Sequence, residues 1–203
     1  MASKKIAIVV GSLRKDSYSG KLANAMRQLA EGKLDMEIVE IRDLPMYDQD
    51  IDTATPPPAY TAFRERIAAA DGILFVTPEY NRSVPGALKN AIDVGSRPYG
   101  KAAWSGKPCA IVSQSPGALG GFGANHHLRQ MLPFLNMPAM PAPEAYLGGI
   151  ADKFDGERLS AQEFGSFFIL LVVAGNETTR NAITHGMRFL TQHPEQRAIL
   201  WDD

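Results

Sequence analysis

Between Gly11 and Gly20 the chain gathers Ser12, Arg14, Ser17, Tyr18 and Ser19 within one short stretch that runs straight into a helical pattern. Backbone N–H groups at a helix start, several hydroxyls and a guanidinium offer many donors to concentrated negative charge, which suits a phosphate dianion. Capping a helix needs only one serine. The surplus of donors therefore points to a ligand. A Walker loop is excluded because Gly11 and Gly20-Lys21 lie too far apart and Leu22 stands where the magnesium-binding hydroxyl belongs. The dinucleotide fingerprint G-x-G-x-x-G is absent after the first apolar run as well. A mononucleotide phosphate is the better fit.

These groups need a scaffold, and the spacing of apolar residues supplies it. Lys5 to Val10 is a continuous apolar run ending in Gly11, the pattern of a strand buried on both faces and hence of a parallel sheet. Leu22, Ala25, Met26 and Leu29 have helical spacing across residues 20–31. Further strands are expected over 36–41, 72–77, 108–113 and 137–140, with helices over 60–70, 85–94 and 125–135 and a loop at 53–58. Strand and helix alternate, so the expected fold is α/β with a parallel sheet of order 2-1-3-4-5. Its ligand crevice lies at the carboxyl ends of strands 1 and 3. The loops after strands 1, 3 and 4 then share one rim.

Size and composition narrow the partners. A chain of 203 residues suits one domain with a tail. A net charge of -1 from 21 basic and 22 acidic residues gives no electrostatic reason to expect nucleic acid or an anionic membrane surface. A small molecule is the expected partner. The single cysteine, Cys109, rules out an internal disulfide framework and fits a reducing compartment, with the cytoplasm as the default. The longest apolar run, 167–174, falls short of the roughly 20 residues that span a bilayer, and the N-terminus reads as a first strand rather than a signal peptide.

The loop after the third strand reads Pro78-Glu79-Tyr80-Asn81-Arg82-Ser83-Val84-Pro85-Gly86-Ala87-Leu88-Lys89-Asn90-Ala91-Ile92-Asp93. This stretch resembles the NADPH-dependent FMN reductases and their quinone-reductase relatives. Gly11-Ser12-Leu13-Arg14 with Ser17, and Ser113-Gln114-Ser115-Pro116-Gly117 with His127-Leu128-Arg129-Gln130, resemble the same family, so the likeness covers residues 4 to 160. The resemblance implies a flavodoxin-like three-layer sandwich binding FMN, with NADPH or NADH as co-substrate. It places Ser12, Arg14, Ser17, Tyr18 and Ser19 at the FMN phosphate, where Ser19 replaces the family's usual asparagine. It lays Pro78, Glu79, Tyr80 and Asn81 along the isoalloxazine, and has Gln114, Ser115 and Gly117 border the flavin from the strand-4 side. No side chain is required as catalytic acid or base, because the cofactor carries the hydride chemistry. The implied acceptors are quinones, azo compounds, nitroaromatics, metal oxyanions or free flavin, and the implied assembly is a homodimer or homotetramer. A flavodoxin-type electron carrier or flavin-binding sensor without nicotinamide turnover is the alternative.

Other residues have plainer expectations. His126 and His127 are adjacent on a helix with no carboxylate at i+3 or i+4, so they read as helix-face or interface residues rather than metal ligands. Cys109 reads as a buried inert thiol. Lys89 and Asp93 are spaced to pair on a helix, and Trp104 is expected in a loop at a subunit contact. Residues 164–203 resemble a fragment of the haem-thiolate cytochrome monooxygenases through Ala174-Gly175-Asn176-Glu177-Thr178-Thr179. That family's haem needs a thiolate ligand, and no cysteine follows Cys109, so no haem and no monooxygenase function are expected. The expected domains are 1–160, binding FMN, and 161–203, a helical tail packed on it or in an oligomer contact.

Overall fold

The structure, a computed structural model, describes residues 3–156 together with the backbone of residues 158 and 159. The expected helical tail over 161–203 lies outside the described residues. One compact unit falls within residues 1–140 and 144–160. Its centre is a parallel sheet of β1 (Lys4–Val10), β2 (Leu34–Ile38), β3 (Gly72–Pro78), β4 (Cys109–Gln114) and β5 (Ala145–Leu147). The strand order is β2-β1-β3-β4-β5. Helices α1 (Tyr18–Leu29), α2 (Pro58–Ala69), α3 (Gly86–Gly95) and α4 (Phe122–Phe134) make the crossovers and cover both faces. A hairpin of β6 (Phe154–Asp155) and β7 (Arg158–Leu159) follows.

Burial matches the sequence pattern. Ile8, Val9, Phe75 and Val76 on the central strands are fully buried, whereas the alternating β2 is an edge strand with mixed exposure. Pro85 stands just before the first turn of α3, where its missing N–H leaves no bond unmade.

Two expectations need correction. Residues 137–140 do not form the fifth strand; Ala139 makes only an isolated bridge to Cys109, and the ladder goes to 145–147, which pairs with Val112–Gln114. Pro138, Pro141 and Pro143 cannot donate to a ladder, so the chain crosses the strand-4 edge before it can pair. Trp104 is not at a surface contact either. It is fully buried, with Phe63 and Phe75 each at 5.8 Å between ring centroids, and its indole N–H donates to the Ile92 carbonyl at 3.0 Å. Gly95 makes room for it, since a Cβ there would lie 2.4 Å from the indole nitrogen.

The long connection after β2 is pinned to the helices behind it. The Asn90 amide accepts from Tyr47 N–H at 2.7 Å and donates to the Pro45 carbonyl at 2.9 Å, and the Tyr60 hydroxyl donates to the Met46 carbonyl at 2.8 Å. Arg64 holds Asp52 through two bonds of 2.8 and 2.7 Å while donating to the Val94 carbonyl at 2.9 Å. The hydrogen bonds from Arg64 hold the Asp52 carboxyl below its ordinary value of 3.8, against the opposing effect of burial. A carboxyl lowered in the folded state adds stability that is complete above its unfolded value and disappears as pH falls through its folded value. Unfolding midpoints are therefore expected to drop as pH falls below about 4. In urea titrations the Asp52→Asn variant, less stable at pH 7, should lose its share of that slope; an unchanged slope would refute the assignment.

Candidate functional site

β1 hands over to the first loop at Gly11, where a Cβ would lie 2.6 Å from Thr77 Oγ1 and 3.1 Å from Leu88 Cδ2. The Gly11 N–H donates to the Val76 carbonyl at 2.8 Å, so the loop leaves the sheet locked against β3. Ser17 Oγ then accepts from Gly20 N–H at 3.0 Å and caps α1, while Ser12 Oγ accepts from Arg14 N–H at 3.4 Å. Capping by Ser17 leaves the N–H groups of Tyr18 and Ser19 with no intrahelical acceptor, at the positive end of the helix dipole. No acidic residue in the first turn offsets that potential.

Ser12, Arg14, Lys15 and Ser17 line an open cavity of about 190 Å³, closed opposite by Asn24 of α1 and by Ile38 to Arg42 at the end of β2. Arg14, Lys15 and Arg42 contribute positive charge there and Glu40 negative charge. The Arg42 guanidinium donates to the Leu13 carbonyl and so bends over the loop. Arg14's side chain makes no hydrogen bond or ion pair within the described residues.

Tyr18 and Ser19 take different parts from those their position in the loop implies. The Tyr18 ring packs on Phe154 at 6.2 Å. Ser19 is fully buried, and its hydroxyl accepts from Gln114 Nε2 at 2.9 Å. The Ser19 side chain therefore faces β4, because the second residue of α1 already looks down onto the sheet, and its backbone N–H is the group it offers at the helix start. Gln114 Oε1, buried on the same link, has no hydrogen-bond partner. An orphaned buried acceptor costs about 1–3 kcal/mol, and a ligand donor reaching it would relieve that cost.

The second loop is a two-residue hairpin. Tyr80 and Ser83 exchange N–H···O=C bonds of 3.0 Å each, with Asn81 at φ 52° and Arg82 at φ 64° in the left-handed region that such turns demand. Tyr80 is 46% exposed at the rim, just beyond Pro78 at the end of β3. The Glu79 carboxylate turns the other way, accepting from Ala124 N–H at 3.1 Å at the start of α4. Gly123 permits this approach, since a Cβ there would lie 2.7 Å from the Arg82 carbonyl oxygen.

The third loop is tied to β5. Ser115 N–H donates to the Leu147 carbonyl at 3.1 Å, Ser115 Oγ to the Gly117 carbonyl at 2.9 Å, and Gly149 N–H to the same Gly117 carbonyl at 3.2 Å. Backbones approach closely enough that a Cβ on Gly120 would lie 2.6 Å from the Tyr146 carbonyl carbon.

The structure therefore gathers Ser12, Arg14 and Ser17 on one cavity and sets the Pro78–Asn81 turn and the Gln114–Gly117 loop at the carboxyl ends of their strands. Lys15, Asn24, Glu40 and Arg42 line the same cavity and were not singled out by the sequence. Asn24 follows Gly20 by one helical turn, a signal that was available. Glu40 and Arg42 were not legible, because a strand expected to run to residue 41 stops at Ile38 and releases them to the rim.

Residues 4–152 match the family described as NADPH-dependent FMN reductase. The chain belongs to that family. It is 63% identical over 150 residues to a quinone reductase of Pseudomonas putida, covering 74% of this chain and 81% of the relative. It is 48% identical over 157 residues to a 2-hydroxy-1,4-benzoquinone reductase of a Burkholderia species, covering 77% and 82%. Among solved structures, a flavoenzyme NAD(P)H:(acceptor) oxidoreductase from Paracoccus denitrificans superposes with a TM-score of 0.75 at 40% identity, over 81% of this chain and 90% of that one. Membership makes the chain an FMN-dependent oxidoreductase drawing on NAD(P)H. The residues at hand fit the cofactor: a basic cavity at a helix start for the phosphate, an orphaned acceptor on Gln114, and an exposed aromatic ring on Tyr80.

Other reactive side chains have structural partners. Cys109 is buried, and burial raises its thiol to about 11, which keeps it protonated and unreactive near neutral pH. His126 is exposed, its ring 4.1 Å from that of Phe122, with its Nε2 3.1 Å from the Tyr146 hydroxyl. Lys89 and Asp93 pair at 2.7 Å on α3. Among the described residues no helix is long and apolar enough to cross a membrane.

Proposed function

We propose that this chain reduces quinones, holding FMN by its phosphate in the cavity at the start of α1. The observation that carries the reading is the convergence of Ser12, Arg14, Lys15, Ser17 and Arg42 on that cavity. FMN, when bound, accepts a hydride equivalent from NAD(P)H and passes it on. The chain's own work is to bind and orient. Arg14 and the N–H groups of Tyr18 and Ser19 hold the phosphate, Gln114 Oε1 accepts from a donor on the cofactor, and the Pro78–Asn81 turn with Tyr80 flanks the ring system. Ser115 and Gly117 shape the opposite border through their backbone. The names of the relatives from Pseudomonas and Burkholderia support a quinone as acceptor.

Exposed apolar side chains at Leu119 (59%), Phe122 (50%) and Phe134 (87%) support a homodimer or homotetramer, which light scattering would weigh. The purified protein should be yellow or take up added FMN with quenching of flavin fluorescence, and anaerobic NAD(P)H should bleach it. A quinone should then restore the colour over many cycles. FMN binding without such turnover favours the electron-carrier reading, and no FMN binding sinks both.

A further inference from the structure

Reducing a quinone by two electrons requires more than a hydride equivalent: one oxygen is left as a phenolate and must take a proton from elsewhere. Resting on the reading above, we propose that Ser83 and His127 deliver that proton to the acceptor. Ser83 Oγ–H touches the phenolate oxygen and donates to it, and His127 Nδ1–H replaces the proton Ser83 gives up.

The two groups are already joined, with Ser83 Oγ 2.8 Å from His127 Nδ1. They also face the right way. Tyr80 and Ser83 exchange both backbone hydrogen bonds, and residues directly opposed in this manner project their side chains to the same face of the ribbon, about 5 Å apart at Cβ. The Ser83 Cβ thus stands beside that of Tyr80, whose ring flanks the proposed site. His127 is held at this place by its helix, whose Ala124 and Leu128 are buried and whose start is capped by Glu79. Its ring is exposed, so solvent has access to it.

The other charged or titratable groups on the two elements that meet here are Glu79 and Arg82 on the loop and His126 and Arg129 on α4, and Arg129 is taken up by Asn125 Oδ1, the Met140 carbonyl and Glu144. Glu79 is occupied by Ala124 N–H, with the Arg82 guanidinium 3.8 Å away, and His126 turns to Phe122 and Tyr146. His127 is the remaining group, and its ring nitrogen is the one in reach of Ser83 Oγ. In the step itself, in concert, an O–H bond forms on the acceptor and one re-forms on Ser83 Oγ as the original Ser83 Oγ–H and the His127 Nδ1–H bonds break, and solvent returns one proton to the ring per turnover.

The test compares a water-soluble 1,4-naphthoquinone with ferricyanide, which takes electrons and no proton, on the FMN-loaded protein. In Ser83→Ala and His127→Gln the ratio of quinone to ferricyanide kcat should fall at least about tenfold, the low end for proton transfer by a positioned group, and Ser83→Thr should restore it. A readout independent of turnover is the nitrogen NMR signal of His127 in the oxidised protein, which added hydroquinone should shift in the wild type and leave unmoved in Ser83→Ala. An unchanged ratio, an equal loss with both acceptors, or a His127 signal indifferent to hydroquinone overturns the proposal. Should the wild type oxidise NAD(P)H with neither acceptor, it is the functional reading that fails, and the NMR response still decides this one.

Discussion

Arg14→Ala should weaken FMN binding about tenfold to a hundredfold while leaving riboflavin binding nearly unchanged. Hydrogen bonds to a charged group contribute about 1.5–3 kcal/mol, and each 1.36 kcal/mol is a factor of ten. Arg14 projects into the cavity at the start of α1 without any side-chain partner in the described fold, so its removal disturbs little besides the ligand. Riboflavin lacks the phosphate and therefore isolates that contact. Arg14→Lys should fall between, since an ammonium keeps the charge and loses the two-pronged geometry. Isothermal titration of both ligands against the three proteins checks this. Equal losses for FMN and riboflavin would place Arg14 at the ring or outside the site, and no loss for either would remove the phosphate from this cavity.

Trp104→Ala should cost about 3–5 kcal/mol of folding stability, as expected for truncating a large buried aromatic. The indole fills the space between α3, β3 and α2, touching Phe63 and Phe75, and its N–H donates to the Ile92 carbonyl, a bond that truncation removes. Such a loss is a large part of the 5–15 kcal/mol that holds a typical domain together. Trp104→Phe, which keeps most of the volume and loses the N–H, should cost less. Urea titrations at two protein concentrations discriminate between packing and assembly. A core residue lowers the midpoint equally at both, whereas a subunit-contact residue would make the loss depend on concentration.

The two variants also mark how far the sequence could be read. Arg14 was legible because its meaning is local: hydroxyls, a guanidinium and a helix start occur within ten residues of each other, and no distant partner is needed to see an anion site. Trp104 was not, because nothing adjacent to it in the chain says that Gly95 has vacated its place or that Ile92 presents a carbonyl to it. The same holds for Ser19. Its residue type fits a phosphate loop, but its position on the first turn of α1 directs it at Gln114, 95 residues away.

The chain's own order of residues was enough to establish an α/β domain with a central parallel sheet, the switch between β1 and β3, and the loops that meet there, because buried strands, helical faces and turn residues each leave a periodic signature of short range. Tertiary structure alone decided which segment completes the sheet at β5, where β2 stops and frees Glu40 and Arg42 to the rim, and that Ser83 and His127 come within hydrogen-bonding distance. These outcomes depend on contacts between residues far apart in the chain, whose geometry follows from competition for the same space and the same unpaired backbone groups.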